Sequence, residues 1–269
     1  MGEAKVNSIA HCKRSRHENP MITNALRDQW QRDAAAPFEG WDFSYLKDRM
    51  IEGEPPWSYL ALAKTAVARA NDILDVATGG GEVLASLEPF PGRATAVEGF
   101  VPNLAVARRR LEPLGVSVFE GNTASGMPFE DRSFDLVLNR HGGFRAAEMH
   151  RVLKPGGVFL TQQVGGDNLA DLTAAFGSSL SYPDNTLQRV RQELVNLGFE
   201  IIHSEPWQGN VTFLDVGTVI YFMKAIPWVV PGFQVEDHMP ALQSLHDRLN
   251  AQGRLDFTYT RFLIEAVRG

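Results

Sequence analysis

Asp75 and three consecutive glycines, Gly79, Gly80 and Gly81, stand within the segment Ile73-Leu-Asp-Val-Ala-Thr-Gly-Gly-Gly-Glu82. The apolar residues around Asp75 read as the end of a buried strand, and Glu82-Val-Leu-Ala-Ser-Leu87 begins a helix. A glycine turn between strand and helix brings bare backbone close to a ligand, beside the positive end of the helix. Such a turn suits a nucleotide-like cofactor. A nicotinamide or flavin dinucleotide would need a third small residue three positions after Gly81, where close helix–strand packing is required. That position is Leu84, which argues against a dinucleotide.

The elements that must hold this turn follow from periodicity. A helix is predicted over 22–34, where Ile22, Leu26 and Trp30 share one face, and another over 58–70. Strands are predicted at 72–77, 94–98, 117–120, 134–139 and 158–163, separated by helices at 82–87, 103–114 and 144–153. A helix at 187–197, strands at 199–203 and 257–264, and a helix at 239–251 complete the pattern. Strands alternating with helices predict an α/β fold, a doubly wound and mostly parallel sheet covered on both faces. Residues 1–20 are expected to form a flexible tail, with Met21 as an alternative start, and 21–269 a single domain. Within it, 21–57 reads as an aromatic, turn-rich flap and 205–250 as a helical and aromatic cap insertion.

Asp75-Val-Ala-Thr-Gly-Gly-Gly81 resembles the Asp-x-Gly-x-Gly-x-Gly signature of class I S-adenosylmethionine-dependent methyltransferases. Ala77 stands where that family usually has its first glycine, which predicts a negative φ here. Four further segments match in the same order. Glu98-Gly99 ends the second strand, where the family places an acidic residue that accepts from both ribose hydroxyls. A carboxylate offers several acceptor sites to two neighbouring donors. Gly121-Asn122-Thr123 is similar to the Gly-Asp-Ala segment that recognises the adenine edge, with asparagine replacing aspartate. Pro128–Val137 and Glu148–Gly157 resemble the family's approaches to its fourth and fifth strands. The resemblance covers residues 73–165. It implies a seven-stranded Rossmann-like sheet and S-adenosylmethionine as cofactor, with S-adenosylhomocysteine as product. The implied cofactor-binding set is Asp75, Thr78, Gly79, Gly80, Gly81, Glu98, Gly99, Asn122, Thr123, Asn139 and Arg140.

Methyl transfer from a sulfonium needs an in-line nucleophile, and orientation alone is worth up to roughly 7–11 kcal/mol. Ligands of doubly wound sheets sit beyond the carboxyl ends of the strands. Asn139-Arg-His-Gly-Gly143 occupies that place after the fourth strand, so His141 is the candidate catalytic group. It either removes an acceptor proton or makes a loop hydrogen bond that shapes the pocket. Trp41, Tyr45, Trp57, Trp207 and Tyr221 are candidates to enclose a small, partly apolar acceptor; the alternative for each is packing onto the sheet. The fourth strand lacks the Asn/Asp-Pro-Pro-Tyr/Phe segment used on planar amino groups, and no cysteine lies near these motifs.

Composition narrows the reading further. Of the 269 residues, 44% are hydrophobic and 22% charged, which is ordinary for a globular chain with a sizeable core. A net charge of −6 speaks against general nucleic-acid affinity. Lys13 to His17 and Arg108-Arg-Arg110 are the only support for an RNA or protein methyltransferase, and a non-catalytic S-adenosylmethionine-binding protein is the third alternative. The single cysteine, Cys12, excludes an internal disulfide, and no metal site is expected. The run Val216–Val230 is broken by Lys224 and Pro227 and is too short to span a bilayer. A cytoplasmic protein acting on a small molecule is expected, with no membrane and no nucleic-acid partner. The acceptor and the oligomeric state stay open.

Overall fold

The computed structural model describes residues 22–39 and 41–269. The expected tail, its basic residues, Cys12 and Met21 lie outside the described residues. The chain runs α1 (Asn24–Ala35), β1 (Met50–Glu52), α2 (Tyr59–Val67), β2 (Asp72–Val76), α3 (Glu82–Ala85), β3 (Arg93–Glu98) and α4 (Val101–Leu111). It continues through β4 (Ser117–Glu120), β5 (Phe134–Arg140), α5 (Ala146–Val152), β6 (Leu153–Val164), α6 (Ala170–Ala175) and α7 (Leu187–Asn196). The last elements are β7 (Phe199–Phe213), α8 (Val216–Ala225), α9 (Met239–Gln252) and β8 (Leu255–Arg268).

One sheet holds all eight strands in the order β1-β7-β8-β6-β5-β2-β3-β4. The strands β2 to β6 pair parallel, and β8, β7 and β1 add antiparallel at one side. The expected count of seven strands is therefore corrected to eight. The extra strand is β1, three residues long and paired with Val211–Phe213. So short a segment offers no alternation to read.

Both faces of the sheet are covered. Ile73, Ala94, Leu136, Leu138 and Leu160 pack under α2, α3 and α4. Leu74, Val76, Val137 and Phe159 face α5 and α7. The alternation of Ile73 and Leu74 between these clusters is the two-residue period of a strand buried on both sides.

A third cluster joins α1, α8 and α9 to the far ends of β7 and β8, around Trp30, Phe213, Tyr221 and Phe257. The segment 205–250 does not form one cap insertion. Residues 205–213 complete β7, pairing in register with β8 as far as Phe213↔Leu255, and α8 and α9 form a helical layer. Every residue of α8 except Lys224 is buried. A helix apolar on all sides carries no amphipathic period, which is why the sequence shows it only as an apolar run.

Arg49 ties the N-terminal segment to this layer. Its guanidinium is bidentate on Asp215, at 2.9 Å and 2.8 Å, and reaches the fully buried Asp33 at 3.3 Å. Asp215 also caps α8, accepting from the Thr218 backbone N–H at 2.8 Å, and Asp33 accepts from the Tyr45 hydroxyl at 2.7 Å.

Candidate functional site

The glycine turn closes between β2 and α3. Gly79 and Gly81 have φ of +63° and +82°, a region that disfavours side chains. A side chain at Gly81 would also strike Leu111 of α4, so its absence lets α4 pack close. Ala77 has φ +58°, not the negative value expected. Its methyl lies over Gly142, where an added Cβ would come within 2.4 Å. The strain at Ala77 is thus accommodated by a glycine on the β5–α5 loop. Arg110 grips the turn from outside, donating to the Gly80 carbonyl and to Glu82 at 2.5 Å.

Glu98, at the carboxyl end of β3, spans the turn and its own following residue. Its two oxygens accept from the backbone N–H groups of Gly79 at 2.6 Å and Phe100 at 2.7 Å. Burial raises its pKa, and those N–H groups oppose the shift. Asp75 sits beside it, also buried. Desolvation, with the Glu98 charge adding to it, pushes the Asp75 carboxyl up to about 7. The Thr78 hydroxyl lies near this carboxyl without reaching hydrogen-bond geometry. Thr78 Oγ1 and Tyr59 Oη are buried with no partner among the described residues.

Asn122 and Thr123 lie next to Gly99, where an added Cβ would come within 3.0 Å of the Asn122 Cβ. The Asn122 carbonyl oxygen accepts from the N–H groups of Ala124 and Ser125, at 2.9 Å and 3.0 Å, and from the Ser125 hydroxyl at 3.2 Å. It is the acceptor of a local turn, in contrast to the adenine-facing acceptor expected of it. Thr123 Oγ1 accepts from the Arg145 N–H at 3.0 Å.

Asn139 differs from expectation as well. Its side chain is fully buried and committed to protein, donating to the Val76 carbonyl at 2.9 Å. It accepts from Thr161 at 3.0 Å and Gln163 at 2.6 Å. It braces the end of β2 from β5 and leaves no group for a ligand.

His141 follows β5 with φ +59°, exposed just beyond the carboxyl end of that strand. Trp57 sits immediately before Ser58, the residue that caps α2 by accepting from Ala61 N–H at 3.2 Å. The Trp57 indole, a donor only, donates to Gln162 Oε1 at 2.8 Å. That fixes the Gln162 amide, whose Nε2 then faces His141 Nε2 at 2.8 Å. The imidazole must accept there, so its proton is assigned to Nδ1. Desolvation by the protein packed around the ring, then the charges of Arg261 and Arg140, holds the pKa well below the usual range. His141 is therefore a neutral Nδ1–H donor. The expected general base lacks a free lone pair.

The aromatic candidates divide. Trp41 lies on Gly79, where an added Cβ would come within 2.5 Å of its ring. Tyr45 stacks on Tyr221 at 4.4 Å, and the buried Tyr221 donates to the Pro37 carbonyl at 3.1 Å. These two tyrosines fasten the flap to α8. Trp57 and Trp207 face the region above β6 and β8, where Trp207 meets Tyr259 edge-on at 6.4 Å.

Residues 74–161 match the family profile of a methyltransferase domain. That segment, about a third of the chain, is similar to the methyltransferase domain. A demethylmenaquinone methyltransferase from Chlorobaculum tepidum is 39% identical over 98 residues, covering 33% of this chain and 39% of that protein. The ubiquinone/menaquinone biosynthesis C-methyltransferase UbiE of Photorhabdus laumondii is 29% identical, over 52% of this chain and 59% of its own length. The YcgJ protein of Bacillus subtilis superposes with a TM-score of 0.56 at 19% identity, over 78% of this chain and 97% of that one, and shares the fold. The chain spans 39% of the length of the first curated relatives it matches.

Asp75, Thr78 to Gly81, Glu98 and Gly99 come together at the turn, and Arg140 and His141 lie beyond it. Gln162 and Arg261 also belong to the site. The signal available for each was a polar side chain in a predicted strand, Gln162 at 158–163 and Arg261 at 257–264. Arg108, Arg109 and Arg110 pair at the surface with Glu112, Glu39 and Glu82.

Proposed function

We propose that this chain is an S-adenosylmethionine-dependent methyltransferase whose acceptor is a small molecule. The observation that carries it is the Glu98 carboxylate. It is buried at the end of β3, bracketed by Gly79 and Phe100 N–H groups, and keeps lone pairs for the two ribose hydroxyls. The turn fits the group in other respects. Gly79 presents bare backbone, and the Thr78 and Tyr59 hydroxyls are buried polar groups without protein partners. Asp75, Thr78, Gly79, Gly80, Gly81, Glu98 and Gly99 would hold the cofactor, with Asn122 and Thr123 supplying backbone at the adenine end. When bound, it supplies a methyl on a sulfonium that an in-line nucleophile takes.

The chain's own contribution is orientation and exclusion of water. Trp57 and Gln162 fix the tautomer of His141, so its Nδ1–H donates to an acceptor atom without withdrawing a proton. The acceptor is bound above β5, β6 and β8, between Trp57 and Trp207. The names of the relatives point to quinone-type carbon acceptors, but the C. tepidum match covers only a third of the chain. Among the described residues no helix is long and apolar enough to cross a membrane, which fits a cytoplasmic setting.

Calorimetric titration with S-adenosylmethionine, followed by labelled-methyl transfer into fractionated small molecules, RNA and protein, tests the proposal. Label is expected in small molecules. Label confined to RNA or protein overturns the acceptor class, and binding without any transfer overturns the activity.

A further inference from the structure

Arg261 is an unusual residue to find in the middle of β8. It is 8% exposed. Its Nη1 donates to Asn168 Oδ1 at 2.9 Å and to the Thr260 carbonyl at 2.7 Å, both neutral acceptors. Its guanidinium carbon stands 3.7 Å from the centre of the Tyr259 ring. Among the described residues no carboxylate lies within salt-bridge distance of it. A guanidinium carries five donors, and its Nε and Nη2 have no hydrogen-bond partner among the described residues.

The groups around Arg261 do not neutralise it. Glu52 of β1 is the nearest acidic influence, and its carboxylate accepts from the Tyr259 hydroxyl at 2.7 Å. Arg140 of β5 adds a second positive charge. Burial lowers the Arg261 pKa, Tyr259 and Glu52 oppose that shift, and Arg140 reinforces it. A buried cation without an ion-pair partner is costly and is normally matched by an opposite charge.

Register places this charge at the acceptor site. Arg140 pairs with Gln162, and Val164, two residues further along β6, pairs with Arg261. In-register neighbours and alternate residues share a face, so Arg140, Gln162 and Arg261 project from one side of the sheet. Trp207 of β7 pairs with Arg261 and joins them there. Gln162 is the residue that holds Trp57 and His141. The result is a patch with two guanidinium groups and a neutral N–H donor, flanked by indole rings.

We propose that this patch binds an oxyanion, a carboxylate or a phosphate, carried by the methyl acceptor, with Arg261 as its principal partner and Arg140 beside it. The assignment deepens the methyltransferase reading and rests on it for the identity of the ligand as the acceptor. Planar, forked guanidinium groups match either oxyanion in a bidentate manner.

The test uses the full chain loaded with S-adenosylhomocysteine and follows tryptophan fluorescence. Benzoate and phenyl phosphate are the probes, with benzamide as the uncharged control. One of the two anions is expected to bind at least about tenfold tighter than benzamide, the size of one charge-assisted contact. Whichever does so distinguishes carboxylate from phosphate. Arg261→Gln should abolish that preference. Arg140→Gln, at an exposed position and safe for folding, should reduce it about threefold or more. Equal binding of benzamide to the wild-type chain overturns the proposal without reference to any variant.

A second arm passes a metabolite extract over an anion-exchange resin before labelled-methyl transfer. Acceptor in the retained fraction supports the proposal, and acceptor only in the flow-through overturns it. Anion preference without methylation of any fraction would instead overturn the methyltransferase reading while leaving the oxyanion site standing.

Discussion

The proposed cofactor side and the proposed acceptor side of this sheet are built by different means. Around the glycine turn, backbone sets the site: the N–H groups of Gly79 and Phe100 hold one carboxylate, Glu98, beside a turn without side chains. The turn and Glu98 both come from residues 75–100, so for them contact and sequence neighbourhood nearly coincide. On the acceptor side the working groups are side chains drawn from distant segments. Trp57 reaches Gln162 across 105 positions, and Arg261 comes from the last strand. Backbone recognition tolerates little change and is written locally. Side-chain recognition is assembled by the fold, and it can change acceptor without disturbing the cofactor half.

The strongest way to break the comparison is at Glu98. Glu98→Ala leaves two buried N–H groups unpaired, each worth about 1–3 kcal/mol, and removes the ribose acceptor. S-adenosylmethionine affinity by calorimetry is expected to fall about a hundredfold or more. Binding of acceptor-site probes should be unchanged. An equal loss at both sites would show that the two halves are not separable.

Asp75 sharpens the same half through pH. Its carboxyl titrates at about 7 in the folded chain and near 3.9 when unfolded. Between those values the native state holds a proton that the unfolded state has released. Stability therefore declines as pH rises through that window, and the full cost is present above pH 7. Asp75→Asn removes the titration. Urea unfolding should find the variant more stable by about 4 kcal/mol at pH 8, with the advantage gone near pH 4. A pH-independent difference would mean that the carboxyl is not desolvated as its burial indicates.

Why one half was readable and the other was not follows from these particulars. The strands at 117–120 and 134–139, and the turn between 76 and 82, carry their signals within a few residues. The β1 strand has three residues, and its partner lies 160 positions away, give or take a few. Helix α8 is buried on every side and so shows no period. Asn122 and Asn139 matched a family pattern by position, yet their side chains are consumed by a turn and by Val76, Thr161 and Gln163. Position in a motif identifies the place of a residue. It does not identify the atom left over for a ligand.

Arg49 probes the acceptor half. The charge it brings to Asp33 and Asp215 is partly screened, since its side chain is 30% exposed, but Asp33 is wholly buried. Arg49→Met leaves that carboxylate uncompensated. A loss of about 2 kcal/mol is expected, discounted from the value for a fully buried pair. Thermal unfolding should come about 4–8 °C earlier. Cofactor affinity in the folded variant should stay within about twofold; a larger loss would tie the flap to the glycine turn through Trp41.

Trp57 tests the tautomer of His141. Trp57→Phe keeps the ring and deletes the only N–H that orients the Gln162 amide, so His141 loses its fixed acceptor role. Methyl transfer is expected to fall about tenfold, or about 1.4 kcal/mol, with cofactor affinity unchanged. The wild-type rate should show no limb near pH 6.5, because His141 stays neutral there. A wild-type limb at that pH would return His141 to the role of general base.

The smallest effect concerns Ala77, the one residue where the cofactor half departs from its own logic. An alanine at φ +58° is strained by about 1 kcal/mol relative to glycine, and its methyl is tolerated because position 142 is glycine. Ala77→Gly should therefore raise stability by about 1 kcal/mol by urea unfolding, less a few tenths for the lost methyl contact and the freer unfolded chain. Gly142→Ala should be destabilising in the wild-type background and better tolerated once Ala77 is glycine. That non-additivity is the decisive reading. If the two substitutions simply add, the methyl at Ala77 does not press on Gly142, and the turn is held by backbone bonds alone.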